Sequence, residues 1–348
     1  MRTEFFGKTK EGKDATRYFL SNKNNMEIVV TDFGAILLNV FIPGKNGEKT
    51  DIVLGCDCFE SYYDNSNFFG STVGPIANRT AGAKATIGGI EYSLDQNDGE
   101  NNLHTCIPAG MNKRLWETKE NGQSITFSMK LKDMEYGLPG NRSFYVTYTL
   151  TDENEIKISY QAKSDKETIF NMTNHSYFNL MGTGSGKILD HEVTLHASAY
   201  TPVVPGAIPT GEIATVTGTP LDFTKKRRIG DEIDADFEQL KLVNGYDHNF
   251  VTDHYDGKVR EIAQVTVPGG KADMKVLSDL PGVQLYTGNF IEHTKGKNNV
   301  VYEKRDGLCL ETQYYPDSIH HSNFPSEVFG PETEYHTTTI YQFEFCDK

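Results

Sequence analysis

Two side chains in this sequence are of types that could move protons, and each sits in a segment that reads as a strand. His175 lies in Thr173-Asn174-His175-Ser176-Tyr177-Phe178-Asn179-Leu180. Extended, that stretch turns His175, Tyr177 and Asn179 to one face and Asn174, Ser176 and Phe178 to the other. An imidazole, a phenol and an amide on one face suit a polar, uncharged ligand such as a sugar. Taken alone, the segment fits a hydrogen-bonded core histidine equally well. Glu311 lies in Leu308-Cys309-Leu310-Glu311-Thr312-Gln313. With Leu308 and Leu310 toward a core, Glu311 and Gln313 face away from it. A carboxylate following Leu-Cys-Leu is unusual, so a tuned acid–base group stands beside the structural reading. Gln284 and Tyr286 alternate with Val283 and Leu285 in the same manner.

Three further segments concentrate polar chemistry. Asn78 and Arg79 follow the turn Gly74-Pro75-Ile76-Ala77, His104 follows Asn101-Asn102-Leu103, and Asp247 sits in Asn244-Gly245-Tyr246-Asp247-His248-Asn249. Each has a structural explanation on its own: a surface ion pair, a turn cap and an Asx-turn. Other motifs fail on spacing. Gly182-Thr183-Gly184-Ser185-Gly186-Lys187 would be a phosphate loop only with Gly at 181 and Ser or Thr at 188, where Met181 and Ile188 stand. His191-Glu192 and His196 miss the zinc-protease spacing by one residue, and Cys56-x-Cys58 has no second ligand pair nearby. No metal and no cofactor are therefore expected.

The elements that must position these groups are strands. Ile125, Phe127, Met129 and Leu131 alternate with polar neighbours, as do Phe144 to Leu150, Ile156 to Ala162 and Tyr341 to Phe345. Asn46-Gly47, Gly88-Gly89, Asn121-Gly122, Pro139-Gly140, Asp256-Gly257 and Asp306-Gly307 punctuate the runs as turns. Helical character is confined to 231–240 and a single turn at 58–63. The pattern predicts an all-β chain forming a large antiparallel sandwich or barrel. With no linker and no internal repeat, 1–348 reads as a single domain.

Composition narrows the partners. A net charge of −14 argues against nucleic acid, which needs clustered Lys and Arg. The five cysteines are scattered and imply no disulfide framework. The N-terminus has no apolar leader segment and no run is long enough to span a bilayer. A soluble cytoplasmic protein without a membrane partner is expected, as a monomer or homodimer.

Five ordered stretches carry a resemblance: Gly-x-x-Ala-Asn-Arg at 74–79, Asn-Leu-His at 102–104, Thr-Asn-His-Ser-Tyr-Phe-Asn-Leu at 173–180, Gly-Tyr-Asp-His-Asn-Phe at 245–250 and Leu-Glu-Thr-Gln at 310–313. Together they resemble the galactose mutarotases, or aldose 1-epimerases, over essentially the whole chain. That resemblance implies a large β-sandwich of the mutarotase kind and the interconversion of α and β anomers of galactose or glucose. It implies His175 as general acid on the ring oxygen and Glu311 as general base on the anomeric hydroxyl. Arg79, His104 and Asp247 become sugar contacts, with Asn78, Ser176, Tyr177 and Gln284 as lesser ones. Ser176 alternates away from His175, so its contact would need its backbone or a local twist. Pro75-Ile76 and Thr105-Cys106 depart from the family's usual Arg-Tyr and Gly-Gly, which bears on sugar preference rather than reaction type. Opening a hemiacetal needs one proton given and one taken, so the resting pair is expected as His⁺ and Glu⁻. The alternatives are a hexose-6-phosphate 1-epimerase, a non-catalytic sugar-binding module and a glycoside hydrolase using Asp247 and Glu311.

Overall fold

The alternating runs become strands with one buried edge-to-edge face. Ser124–Leu131, Arg142–Leu150 and Glu155–Ser164 each bury every second residue. Phe127, Val146 and Ile158 enter the core, while Thr126 and Thr147 pair hydroxyls at 2.8 Å on the other face. The computed structural model describes residues 1–346.

These strands belong to a nine-stranded antiparallel sheet, with Tyr335–Phe345 inserted between Glu155–Ser164 and Ala272–Ser278. The first 51 residues form a five-stranded antiparallel meander from Arg2–Lys8 to Lys49–Asp51. A third sheet, also of five strands, contains Asp247–Val251, Gly282–Tyr286 and Cys309–Gln313. One apolar cluster joins all three: Ile28 and Val30 from the meander, Phe127 and Val146 from the large sheet, Val283 and Leu310 from the third. This is the expected all-β antiparallel sandwich, with sheets sharing a core through their inner faces.

Two expectations change. The α-helix spans only Glu238–Leu242, and Ile229–Asp231 is a separate 3₁₀ turn. Asp231, Asp234 and Asp236 explain the interruption, since aspartates favour turns over helix interiors. The 173–180 stretch is a strand only over Thr173–His175, paired with Ser71–Val73. Beyond it the chain bends inward, and Phe178 makes isolated bridges to both Val53 and Leu308.

Register in the third sheet positions the site. Gln284 lies opposite both Asn249 and Glu311, and Tyr286 lies opposite both Asp247 and Cys309. Alternation then sends Asp247, Gln284, Tyr286 and Glu311 to one face and Phe250, Val283, Leu285 and Leu310 into the core. Across from this face, Arg79–Thr80 pairs with Asn102–Leu103 in a two-residue ribbon.

Candidate active site

A cavity of about 170 Å³ opens between the third sheet and that ribbon. Pockets for drug-sized ligands are larger, about 300–1,000 Å³, so this one suits a single small ring. Asp247, Tyr286 and Glu311 form its floor, His175 and Tyr177 one wall, and Asn78, Arg79 and His104 the rim. Sequence reading named all of these except Tyr286 as site residues.

His175 Nε2 stands 3.6 Å from Glu311 Oε2, and both side chains are buried. The imidazole is stacked on Phe68 at 5.9 Å and tilted against Tyr177 at 5.0 Å, which fixes its plane. Its Nδ1 lies 3.5 Å from the Cys309 thiol. Burial pulls the His175 pKa down to about 4. Burial, with the Asp247 carboxylate adding to it and Arg79 opposing, pushes Glu311 well above the usual carboxylate range. Burial therefore favours neutral imidazole and neutral carboxyl over the His⁺ and Glu⁻ pair expected from sequence. Desolvation opposes each charge, and hydrogen bonds to the charged form would oppose desolvation. The two descriptions contain the same number of protons; they differ in which partner holds the shared one.

Asp247 accepts a 2.7 Å hydrogen bond from Gln284 Nε2. Gln313 Nε2 donates in turn to Gln284 Oε1 at 3.1 Å and to Asn249 Oδ1 at 3.2 Å. This amide chain fixes which way Gln284 points. Gln284 thus orients Asp247 rather than lining the cavity itself. Burial also raises the Asp247 pKa, with Arg79 the main opposing influence.

On the rim, the Arg79 Nε donates to Asp98 at 2.8 Å. His104 N–H donates to the Asn78 carbonyl at 2.9 Å, and Asn78 N–H donates to His104 Nδ1 at 3.0 Å. A neutral ring that accepts at Nδ1 carries its proton on Nε2. Burial first, then His175 and Arg79, depress the His104 pKa, so the neutral form prevails. Donor atoms of His104, His175 and Glu311 lie within 4.8 Å of one another, a metal-like spacing. His104, however, offers an N–H and not a lone pair, which suits a sugar oxygen rather than a cation.

Besides Gln284, Ser176 and Asn179 fall outside the cavity. Ser176 Oγ donates to Asn174 Oδ1 at 2.5 Å in the buried interior, so its side chain points away from the cavity. The reason is the alternation itself, which holds through Ser176. Asn179 shared the His175 face on paper, but the inward bend sends its amide to the carbonyls of Gly186 and Asp306. Sequence reading missed Phe68, Phe290, Cys309 and Asp98. Asp98 gave no spacing signal, because its partner Arg79 is 19 residues upstream and meets it only across the ribbon.

The aldose 1-epimerase family model matches residues 16–342. The chain belongs to the aldose 1-epimerase family. Bovine galactose mutarotase is 39% identical over 339 residues, covering 97% of each chain. The Escherichia coli aldose 1-epimerase is 37% identical over 329 residues, covering 93% of this chain and 94% of its own. The galactose 1-epimerase structure from Lactobacillus acidophilus superimposes with a TM-score of 0.85 at 29% identity, covering 99% of both chains. The fold is thus the galactose mutarotase-like β-sandwich, and membership makes this aldose 1-epimerase family chain an isomerase. The five-motif resemblance is borne out. Among the described residues no helix is long and apolar enough to cross a membrane.

Proposed function

We propose that this chain, acting as one unit over 1–348, interconverts the α and β anomers of free galactose and glucose. The observation that carries the reading is the buried His175–Glu311 pair, 3.6 Å apart in a cavity sized for one ring. A sugar entering with its anomeric hydroxyl at Glu311 and its ring oxygen at His175 supplies hydrogen bonds to both groups. Those bonds favour the charged tautomer, His⁺ and Glu⁻, over the neutral one. Glu311 then takes the anomeric proton as His175 gives its proton to the ring oxygen, and the C1–O bond to the ring breaks. The pair is now neutral, the form that burial prefers, so the buried position of both groups stabilises the opened state relative to the closed one. The aldehyde turns about C1–C2 and presents its other face to the C5 hydroxyl. The two transfers run in reverse and the opposite anomer leaves. His104 Nε2–H, Arg79 and Asp247 hold the hydroxyls during the turn.

A phosphorylated hexose is a poorer fit, because Arg79 is the one cation among the lining residues and Asp98 already engages it. Polarimetry of freshly dissolved α-D-galactose tests the reading. Added protein should speed relaxation to the anomeric equilibrium. A rate unchanged from buffer, in protein that still binds galactose, would establish a sugar-binding module instead. Release of reducing ends from a glycoside would establish a hydrolase.

A further inference from the structure

His104 and Thr105 have φ values of +52° and +66°. Two consecutive non-glycine residues in the left-handed region are uncommon, and a β-branched one there is a genuine outlier. The hydroxyl of Thr105 compensates. Ile76 N–H donates to Thr105 Oγ1 at 2.9 Å, and Thr105 Oγ1–H donates to the Ile76 carbonyl at 2.9 Å. One hydroxyl therefore satisfies both backbone groups of a residue that is 1% exposed. Two residues further along, Asn78 makes the reciprocal pair with His104, its carbonyl accepting at 2.9 Å and its N–H donating to Nδ1 at 3.0 Å. Asn102 Nδ2 adds a 2.7 Å bond to the Thr105 carbonyl. Segments 76–78 and 104–105 are thus zipped side by side, and the only side-chain hydroxyl in the zipper is that of Thr105.

We propose that Thr105 is a positioning residue, whose hydroxyl holds the 76–78 segment against His104 and so keeps the His104 Nε2–H aimed at the sugar. Without the hydroxyl, the Ile76 N–H and C=O lose their partners in a dry site. The 76–78 segment, still tied to Asn171 through the Ala77 N–H at 2.7 Å, then shifts on its 104–105 side and takes the Asn78 N–H off His104 Nδ1. Once that donor is gone, nothing fixes the tautomer. This assignment rests on the ring-opening reading for its effect on turnover, but not for its effect on the imidazole.

Histidine side-chain ¹⁵N NMR reads the imidazole without any substrate. Wild-type protein should show His104 as a single Nε2–H tautomer. Thr105→Ala should show a mixture, and Thr105→Ser should restore the single form. In polarimetry, Thr105→Ala should lower kcat/KM about tenfold, the size of one lost hydrogen bond to a sugar, while Thr105→Ser should restore it. In a His104→Asn background, Thr105→Ala should cost nothing more. Thr105→Val, which keeps the shape and the branch, should behave as Thr105→Ala does if it folds. A wild-type tautomer pattern in Thr105→Ala would overturn the proposal. So would an activity loss that persists in full beside His104→Asn, since Thr105 would then serve the fold at large. Absence of mutarotation in the wild type would instead sink the functional reading and leave the tautomer result standing.

Discussion

Glu311, Asp247 and Tyr286 reach the cavity from neighbouring strands of one sheet, whereas Arg79 and His104 reach it from a two-residue ribbon flanked by turns. On the floor, position follows from register. Each side chain is held by the pleat, by apolar neighbours on the opposite face and by cross-strand amides such as Gln284 and Gln313. On the rim there is too little sheet to do this. Asn78, His104 and Thr105 all take positive φ, and side chain to backbone hydrogen bonds replace the missing ladder. The proton-transferring pair thus stands on or against the rigid sheet, where errors of position are most costly. The groups that grip hydroxyls stand on the part that is clamped residue by residue.

The largest effects should fall on the floor. Glu311→Gln and His175→Asn remove one proton-transfer partner each, and each should lower kcat by about 10²–10⁴-fold. Polarimetry at saturating galactose checks this. A rim substitution that matched either loss would erase the distinction drawn between the two regions.

The same pair fixes the pH response. The active enzyme carries one proton shared between His175 and Glu311. A second proton adds as pH falls through about 4, the value to which burial lowers His175. The shared proton leaves at a pH above the ordinary carboxylate range, because burial raises Glu311. The kcat/KM profile should therefore show an acid limb near pH 4 and an alkaline limb well above the ordinary carboxylate range. A limb near pH 6.5 would mean that His175 titrates as an exposed imidazole.

What was legible in the sequence divides along the same line. The floor was readable because period-two alternation fixes which residues share a face once a strand is recognised. Glu311 against Leu308 and Leu310, and Gln284 against Val283, were assigned correctly from that rule alone. It failed at Asn179, where the chain bends inward after His175, and bends depend on tertiary partners such as Val53 and Leu308. It also gave no measure of how strongly the interior opposes charge on His175 and Glu311, because burial is a property of the assembled fold. The rim motifs were recognised as family signatures. Their supports, Asp98 and the Thr105 hydroxyl, were invisible because such clamps follow no periodicity. The helix expected over 231–240 is cut to Glu238–Leu242, because Asp231, Asp234 and Asp236 favour turns there.

Behind the rim, Glu327 offers a contrast in stability. It is fully buried, accepts a 3.1 Å bond from Asn171 Nδ2, and burial pushes its pKa up to about 8. The folded-state value lies above the unfolded one near 4.5. The unfolded chain thus ionises first as pH rises, while the folded carboxyl stays protonated. Stability associated with the neutral group is complete below about pH 4.5, declines up to about pH 8 and levels off beyond. The slope is about 1.4 kcal/mol per pH unit inside that window. Glu327→Gln keeps the acceptor and removes the titration. Urea unfolding should find the variant close to wild type at pH 4 and more stable by a few kcal/mol at pH 8.5. A parallel pair of stability curves would show that Glu327 ionises without cost.

Asp98 tests how much the rim depends on its clamps. Asp98→Ala frees the Arg79 guanidinium from its 2.8 Å tether and should lower kcat/KM about tenfold, through KM more than kcat. Asp98→Asn keeps an acceptor oxygen and should lose only a few-fold. Equal losses in the two would assign the effect to charge rather than to tethering.

The smallest effect should belong to Ser176, immediately beside the general acid in sequence. Its hydroxyl faces Asn174, whose amide nitrogen donates to the Gly70 carbonyl at 3.1 Å and to Tyr148 Oη at 3.2 Å. Ser176→Ala leaves the Asn174 oxygen one donor short in a buried site and should cost about 1 kcal/mol of stability. Its kcat/KM should stay within about twofold of wild type, because the Ser71–Val73 strand still fixes Thr173–His175 through the backbone ladder. Denaturant midpoints and polarimetry on the same preparation separate the two quantities. A loss of activity without a loss of stability would return Ser176 to the cavity. It would also show that the hydroxyl turns toward the sugar on binding, and that the floor is less fixed than its sheet suggests.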